Sequence, residues 1–166
     1  MGYKSLNQCI SDLDNKGELK RISRELDPNL EMASIHLDEF ARNGKAILFE
    51  NIKGSKYKAV SNLFGSLARS KFMFRDTLQI VKDLIEIKIN PISALKHPIR
   101  TFLTALNAIY AIPKKVRFKG FSEIQIEDLP HIKCWKEDGG AFITLPQVYT
   151  EDIDNEGIMS SNLGMY

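Results

Sequence analysis

The sequence is poor in the features that mark specialised proteins. Its net charge is only +2 over 166 residues, which speaks against a dedicated nucleic-acid binder, since those carry a strong basic excess. It has two cysteines, Cys9 and Cys134, far apart and outside any CxxC or Cys/His pattern. That spacing argues against a zinc site, and reduced thiols of a cytoplasmic protein fit it better than a disulfide. No apolar run reaches the ~20 residues of a membrane span. The longest, Ile99 to Ile112, is broken by Arg100 and Asn107. Lys4 and Asp12 stand where a signal peptide would be apolar. A myristoylation signal after Gly2 fails by one place, because the hydroxyl residue is Ser5 and position 6 is Leu6. Walker, GxGxxG, GxSxG and HExxH patterns are all missing, as are internal repeats and low-complexity segments.

What is present is an ordinary globular composition: 43% hydrophobic and 27% charged residues. Such a chain forms one domain, or one with an appendage, and hides roughly two-thirds of its unfolded surface. Ser5 is placed to cap a helix with the apolar face Leu6, Cys9, Ile10 and Leu13, ended by Gly17. Leu19 to Ile22 reads as a strand. After a turn at Pro28, Asn29 is placed to cap a helix through Met32, Ile35, His36 and Phe40, stopped by Gly44. Ala46 to Phe49 and Tyr57 to Val60 read as strands around the turn Lys53-Gly54-Ser55-Lys56. Residues 62–75 read as a loop with a short helix. Asp76 is placed to cap a helix through Ile80, Val81, Leu84, Ile85 and Ile87 that ends at Asn90-Pro91. Ile99 to Tyr110 reads as another helix, closed by Pro113, and Lys114 to Gly120 as a basic linker. The pattern then changes to strands at Glu123–Ile126, His131–Trp135, Ala141–Tyr149 and Gly157–Tyr166. The expected fold class is α+β: a mixed α/β region over 1–111, then the first strands of a mostly β region over 112–166. The last expected strand leaves an edge unpaired, so a longer natural product is expected.

Four features could carry chemistry. Alternation along Ile158–Tyr166 puts Ser160, Asn162 and Gly164 on one face. A small polar face with a glycine lets a flat ligand or phosphate approach the backbone, and the Asn162 amide oxygen could meet a hard metal. Taken alone, this strand reads first as a solvated sheet face. The acidic turn Glu151, Asp152, Asp154 and Glu156 partly mimics a calcium loop, but Leu163 stands where the bidentate Glu is needed, leaving a solvated turn. The basic run Lys114, Lys115, Arg117 and Lys119 could meet phosphate or an anionic membrane surface; as a linker it reads first as solvated. His36, His97 and His131 share no spacing and show no partner, so each reads as a packed or surface histidine.

Asp138-Gly139-Gly140-Ala141-Phe142-Ile143-Thr144-Leu145-Pro146, then Asp152-Ile153-Asp154, then Ser161-Asn162-Leu163-Gly164-Met165-Tyr166 resemble, in that order, the cofactor-binding region of the UbiD decarboxylase family. Leu13 to Leu19, Asp27-Pro28, Ala46-Ile47-Leu48-Phe49-Glu50-Asn51 and Asn62-Leu63-Phe64-Gly65 extend the resemblance over nearly the whole chain. It implies that the β region opens a split β-barrel of flavin-binding type, incomplete in this sequence. It also implies non-oxidative decarboxylation of an aromatic or α,β-unsaturated acid, such as a polyprenyl-hydroxybenzoate or related quinone precursor. The cofactors implied are prenylated FMN and a divalent metal, typically Mn(2+), with a flavin prenyltransferase as supplier. The flavin carries the hard chemistry and the protein orients it.

By position, Asn162 matches the family's metal-binding Asn, Met165 and Tyr166 match the stretch that contacts the flavin, and Thr144 matches a Thr near the cofactor. The family's next residue is Arg. The other metal ligands and the acidic catalytic residues would lie beyond Tyr166, so no catalytic residue is expected in this chain. One ligand cannot hold a hard ion that wants about six oxygens, so the 166-residue chain is expected to be inactive alone. The alternative reading is a non-catalytic stand-alone binding or assembly module that kept the N-terminal fold. Peripheral membrane or nucleic-acid contact through Lys114–Lys119 is a weaker third idea, against which the modest net charge speaks. Oligomeric state and substrate identity stay open.

Overall fold

The computed structural model describes residues 2–92, 98–108 and 122–165. It divides into two compact units, each taken by itself below. The larger gathers the described residues of Tyr3–Met73, Gly120–Val148 and Gly164–Tyr166; the smaller gathers those of Met1–Gly2, Phe74–Lys119 and Tyr149–Leu163.

In the larger unit, Ser5 caps α1 (Leu6–Asn15) as expected: its backbone is extended and its hydroxyl oxygen accepts from the Gln8 N–H at 3.3 Å. Gly17, at φ +74°, ends the helix with a conformation only glycine adopts cheaply. Three strands follow: β1 (Leu19–Leu26), β2 (Ala46–Ile52) and β3 (Ala59–Ser61), in the order β1-β2-β3. β1 runs parallel to β2 and β3 antiparallel. The parallel pair needs a crossover, which α2 (Glu31–Ala41) supplies. Four consecutive residues of β2, Ala46 to Phe49, are buried, because the central strand is covered on both faces. Ala46 and Leu48 join Cys9, Leu13, Leu19 and Met73 in one cluster. Ile47 and Phe49 join Leu26, Met32 and Ile52 in the other.

The expected cap of α2 is wrong. The helix starts one residue later, after Leu30 at φ +70°, and no side chain caps it. Asn29 is engaged elsewhere: its N–H donates to the Asp27 carboxylate (2.8 Å), and it bridges to Lys133. The Glu31 carboxylate reaches back to the Asp27 N–H at 2.8 Å. Both carboxyl groups lie below their ordinary values, each held first by the backbone N–H it accepts. α3 (Leu67–Met73) is the short helix expected within 62–75.

In the smaller unit, α4 (Leu78–Ile89) packs on α5 (Pro98–Ala108). Thr77, not Asp76, precedes α4, and again without a side-chain cap. α5 opens on Pro98, whose missing N–H costs nothing in a first turn. Among the described residues no helix is long and apolar enough to cross a membrane.

The β region holds less strand than expected. Residues 122–125 form no ladder and lead into a 3-10 turn at Ile126–Asp128. His131–Trp135 makes only single bridges, Ile132 to Phe142 and Lys133 to Asn29. The long strand expected over Ala141–Tyr149 is instead β4, Gln147–Glu151, and the last strand shortens to β5, Ser161–Met165, after a 3-10 turn at Ile158–Ser160. β4 and β5 pair as a two-stranded sheet. An apolar alternating segment becomes a strand only where a neighbour completes its ladder, and these segments find few neighbours among the described residues. The fold is thus mixed α/β with few strands and no closed barrel among the described residues.

Candidate functional site

The larger unit contains an apolar cleft of about 510 Å3. One wall is α2, with Met32, Ala33, His36, Leu37 and Phe40. The floor is Phe49 with Ala59 to Ser61 of β3, continued by residues 62–65. The far wall is Ile132, Cys134, Trp135, Thr144 and Leu145. Among the described residues no Lys, Arg, Asp or Glu lines it.

Residues 62–65 are the Asn-Leu-Phe-Gly motif, and the geometry explains its composition. Asn62 is buried in the left-handed region at φ +58°, where asparagine is better tolerated than most residues. Its side-chain amide donates to the carbonyl oxygens of Lys45 (2.9 Å) and Gly44 (3.4 Å). Its Oδ1 is buried without a hydrogen-bond partner and lies over Gly65. A Cβ on Gly65 would fall 1.8 Å from that oxygen, so any larger residue at position 65 must displace the Asn62 amide. Arg69, only 2% exposed, then ties the loop down. It donates to the carbonyls of Asn62 (2.7 Å), Gly44 (3.0 Å) and Leu63 (3.1 Å) and pairs with Glu18 (3.2 Å).

The far wall is held by backbone exchange. Lys133 accepts from the Leu30 N–H (3.0 Å) and donates to the Pro28 carbonyl (3.2 Å). The Asp138 carboxylate accepts the N–H groups of Cys134 (3.2 Å) and Trp135 (2.9 Å), fixing the turn that presents the indole.

Two histidines have partners that the sequence did not reveal. His36 Nδ1 lies 2.5 Å from Ser61 Oγ across the cleft wall, and its ring stacks on Phe40 with centroids 6.2 Å apart. His131 Nε2 lies 2.6 Å from the Ile126 carbonyl. Their partners come from 25 and 5 residues away, separations that spacing rules do not report. His97 and the run Lys114–Lys119 lie outside the described residues. Cys9 and Cys134 are both free thiols.

Of the residues singled out for cofactor contact, Thr144 is exposed on the cleft's far wall. Asn162 and Met165 are exposed on β5, three places apart and so on opposite faces of the strand. Asn162 belongs to the smaller unit and Met165 to the larger. Tyr166 lies outside the described residues. The acidic turn is a solvated connection between β4 and β5: Asp152 accepts the Asp154 N–H (2.9 Å) and donates its own N–H to the Ser160 carbonyl (3.3 Å). Tyr149 donates to the Glu151 carboxylate, which raises the phenol above its ordinary value.

For a metal, Asn162 is the one residue singled out above, and no group of three His, Cys, Asp or Glu side chains converges among the described residues. They do not make a metal centre by themselves. A Cβ on Gly139 or Gly140, both exposed, would meet nothing within 4 Å, so packing among the described residues does not demand these glycines.

Two family models match in sequence order. The N-terminal domain of 3-octaprenyl-4-hydroxybenzoate carboxy-lyase covers residues 10–88, and the Rift-related domain of the same enzyme covers residues 111–166. A protein of Archaeoglobus fulgidus is 36% identical over all of this chain and 35% of its own length. A 4-hydroxybenzoate decarboxylase component of Chlamydia pneumoniae is 34% identical over 97% of this chain and 28% of its own length. The vanillic acid decarboxylase of Sedimentibacter hydroxybenzoicus shares the fold with a TM-score of 0.69 at 22% identity, over 100% of this chain and 35% of that one. The UbiD-class enzyme HmfF of Pelotomaculum thermopropionicum, solved with prFMN, gives a TM-score of 0.56 at 23% identity, over 98% of this chain and 35% of that one. The chain therefore spans about a third of the length of these relatives. Two consecutive domain matches, in the order the Asn-Leu-Phe-Gly loop and the Asn162 strand had suggested, mean that this chain belongs to the UbiD family and corresponds to its N-terminal portion.

Proposed function

We propose that this chain is the N-terminal portion of a cytoplasmic UbiD-type carboxy-lyase, acting on an aromatic or α,β-unsaturated acid of the polyprenyl-hydroxybenzoate kind, with prenylated FMN and Mn(2+). The observation that carries the reading is the pair of family models, N-terminal and Rift-related, matched consecutively along one chain. In this reading residues 1–111 form the α/β region and residues 112–166 open the cofactor-binding barrel.

The flavin, when bound, supplies the electron sink for loss of CO2. This chain's own residues have simpler tasks. Gly139 and Gly140 leave room for a planar group. Thr144 offers a hydroxyl at the rim of the cleft. Met165 and Tyr166 offer apolar and aromatic contact. Asn162 would supply one neutral oxygen toward a divalent ion, whose remaining ligands would come from beyond the matched region and whose charge would offset that of an anionic cofactor.

The test is a chimera of this chain followed by the remainder of the Archaeoglobus fulgidus relative, supplied with prenylated FMN, Mn(2+) and 4-hydroxybenzoate-type acids. The expected result is CO2 release by the chimera and none by the 166-residue chain. Asn162→Ala in the chimera is expected to weaken Mn(2+) retention by about tenfold or more, as loss of a ligand does. CO2 release by the chain alone, or Mn(2+) retention indifferent to Asn162→Ala, would overturn the respective part.

A further inference from the structure

We infer that the cleft between α2, β3 and Trp135 is the seat of a polypeptide segment: an apolar stretch from the part of a UbiD-type protein that lies beyond the region this chain matches. The inference rests on the family reading and adds to it a docking surface.

The first support is composition. Leu37, Phe40, Trp135 and Leu145 are 42%, 52%, 58% and 60% exposed around one cleft, and a contiguous apolar patch on a folded unit marks a place meant to be covered. The second is charge. With no Lys or Arg among the described residues of its walls, the cleft offers the carboxylate of an acid substrate no permanent positive charge, and burying an unpaired charge there would be costly. His36 is engaged with Ser61 across the cleft wall, and the Asn62 amide nitrogen is spent on the carbonyls of Gly44 and Lys45, while the Asn62 Oδ1 lies over Gly65. Aliphatic or aromatic side chains suit such a surface better than a charged small molecule. The third is position. α2, β3 and residues 62–65 belong to the segment matched by the first family model, while Ile132, Trp135 and Thr144 belong to the second. The cleft is thus the seam between the two matched segments, and β3 is an edge strand of its sheet, where a further segment can add. The fourth is length. About two-thirds of the relatives' polypeptide lies outside the match in the same chain, and that covalently continuous material is the occupant the seam would meet.

Trp135 is the sole tryptophan of the sequence and stands on the cleft wall, so it reports occupancy directly. The chain is labelled with 5-fluorotryptophan and followed by fluorine NMR, alone, co-expressed with the remainder of the Archaeoglobus fulgidus relative, and as the single-chain chimera. The Trp135 signal is assigned by its loss in Trp135→Phe. The expected result is a signal sensitive to solvent isotope in the chain alone and at least threefold less sensitive once the remainder is present. Phe40→Asp or Leu37→Lys should restore that sensitivity; both sites are exposed enough to tolerate the change. Leu106→Asp on α5, outside the cleft, should not.

Several results would overturn the inference: Trp135 still open to solvent in the chimera, shielding unaffected by either cleft variant, shielding on simply concentrating the chain (a second copy as occupant), or shielding by 4-hydroxybenzoate alone. A chimera that releases CO2 with Trp135 open would sink the docking surface and leave the functional reading standing. A shielded Trp135 without CO2 release would do the reverse.

Discussion

Residues 3–73 and residues 122–165 treat their apolar side chains in opposite ways. Every buried hydrophobic residue among those described lies between Cys9 and Met73. Among the described residues 122–165 none is buried, although Trp135, Phe142, Leu145, Ile153, Met159 and Leu163 are all there. A parallel strand pair with helices on both sides encloses a core with the help of few neighbours, as β2 does between its two clusters. A two-stranded sheet has no covering layer of its own and is marginal alone. The residues assigned to the cofactor, Thr144, Asn162, Met165 and Tyr166, all fall in the C-terminal, open stretch of the sequence. Stability and proposed chemistry therefore occupy different stretches of sequence, and substitutions can separate them.

The largest expected effect is in the closed region. Phe49 is 1% exposed in the middle of β2, and Phe49→Ala should cost about 3–5 kcal/mol through lost burial and the cavity left behind. Its counterpart is Ile153, 93% exposed, where Ile153→Ala should change stability by less than about 0.5 kcal/mol. Urea unfolding of both variants measures the contrast. A cost above about 1 kcal/mol at Ile153 would mean that the open region has a core of its own after all.

A second variant tests whether the Asn-Leu-Phe-Gly loop is framework or site. Gly65→Ala puts a methyl into the Asn62 amide. The amide must turn away, so the Lys45 carbonyl loses this donor, while the Gly44 carbonyl keeps Arg69. A lost hydrogen bond with a buried group left unpaired costs about 2 kcal/mol. The same variant should shift the fluorine signal of Trp135 little, since the far wall is held independently by Asp138 and Pro28. A stability loss near zero would show that the loop does not fasten the closed region.

The two regions were also unequally legible in the sequence. In the closed region local signals agreed with the fold: Ser5, Gly17, Gly54 and the apolar periodicities of α1 and α2 all act as their chemistry suggests. The failure there was a cap. Asn29 has the right side chain, but it is drawn into a bridge with Lys133, more than a hundred residues on, and no local rule sees that far. In the open region alternation overstated the strands, because alternation reports what a segment can do and a ladder depends on who lies beside it. The cleft was invisible for the same reason: His36 with Ser61, and Asn62 with Arg69, are products of the fold. What the sequence did carry was the order of short motifs, which located the Asn162 strand and, with it, the Asn62 latch.

The smallest expected effect is a pH dependence rooted in the closed region. Glu39 on α2 is 6% exposed and is surrounded by donors: Lys20 at 2.7 Å, the Lys45 N–H at 3.1 Å and Arg42 at 3.5 Å. Gly44 leaves space for it, since a Cβ there would lie 2.1 Å from Oε1. The Lys20 hydrogen bond is the largest influence holding this carboxyl below its ordinary value of 4.5; burial works against it and the Lys45 N–H adds to it. A carboxyl with a lowered folded-state value binds its proton more readily in the unfolded chain. Its contribution is therefore complete above about pH 4.5 and drains as the pH falls through the lowered value. The urea midpoint should drop in that acid window. Glu39→Gln keeps an acceptor for the Lys45 N–H but loses the charge, so it should be less stable near neutrality by about 1 kcal/mol, Lys20 being half solvated. It should also lose stability less steeply than the parent below pH 4.5, because one proton-linked contact is gone. Parallel acid slopes for parent and variant would place the acid-sensitive contacts elsewhere, and the open region, with its carboxylates at 151–156, would be the first place to look.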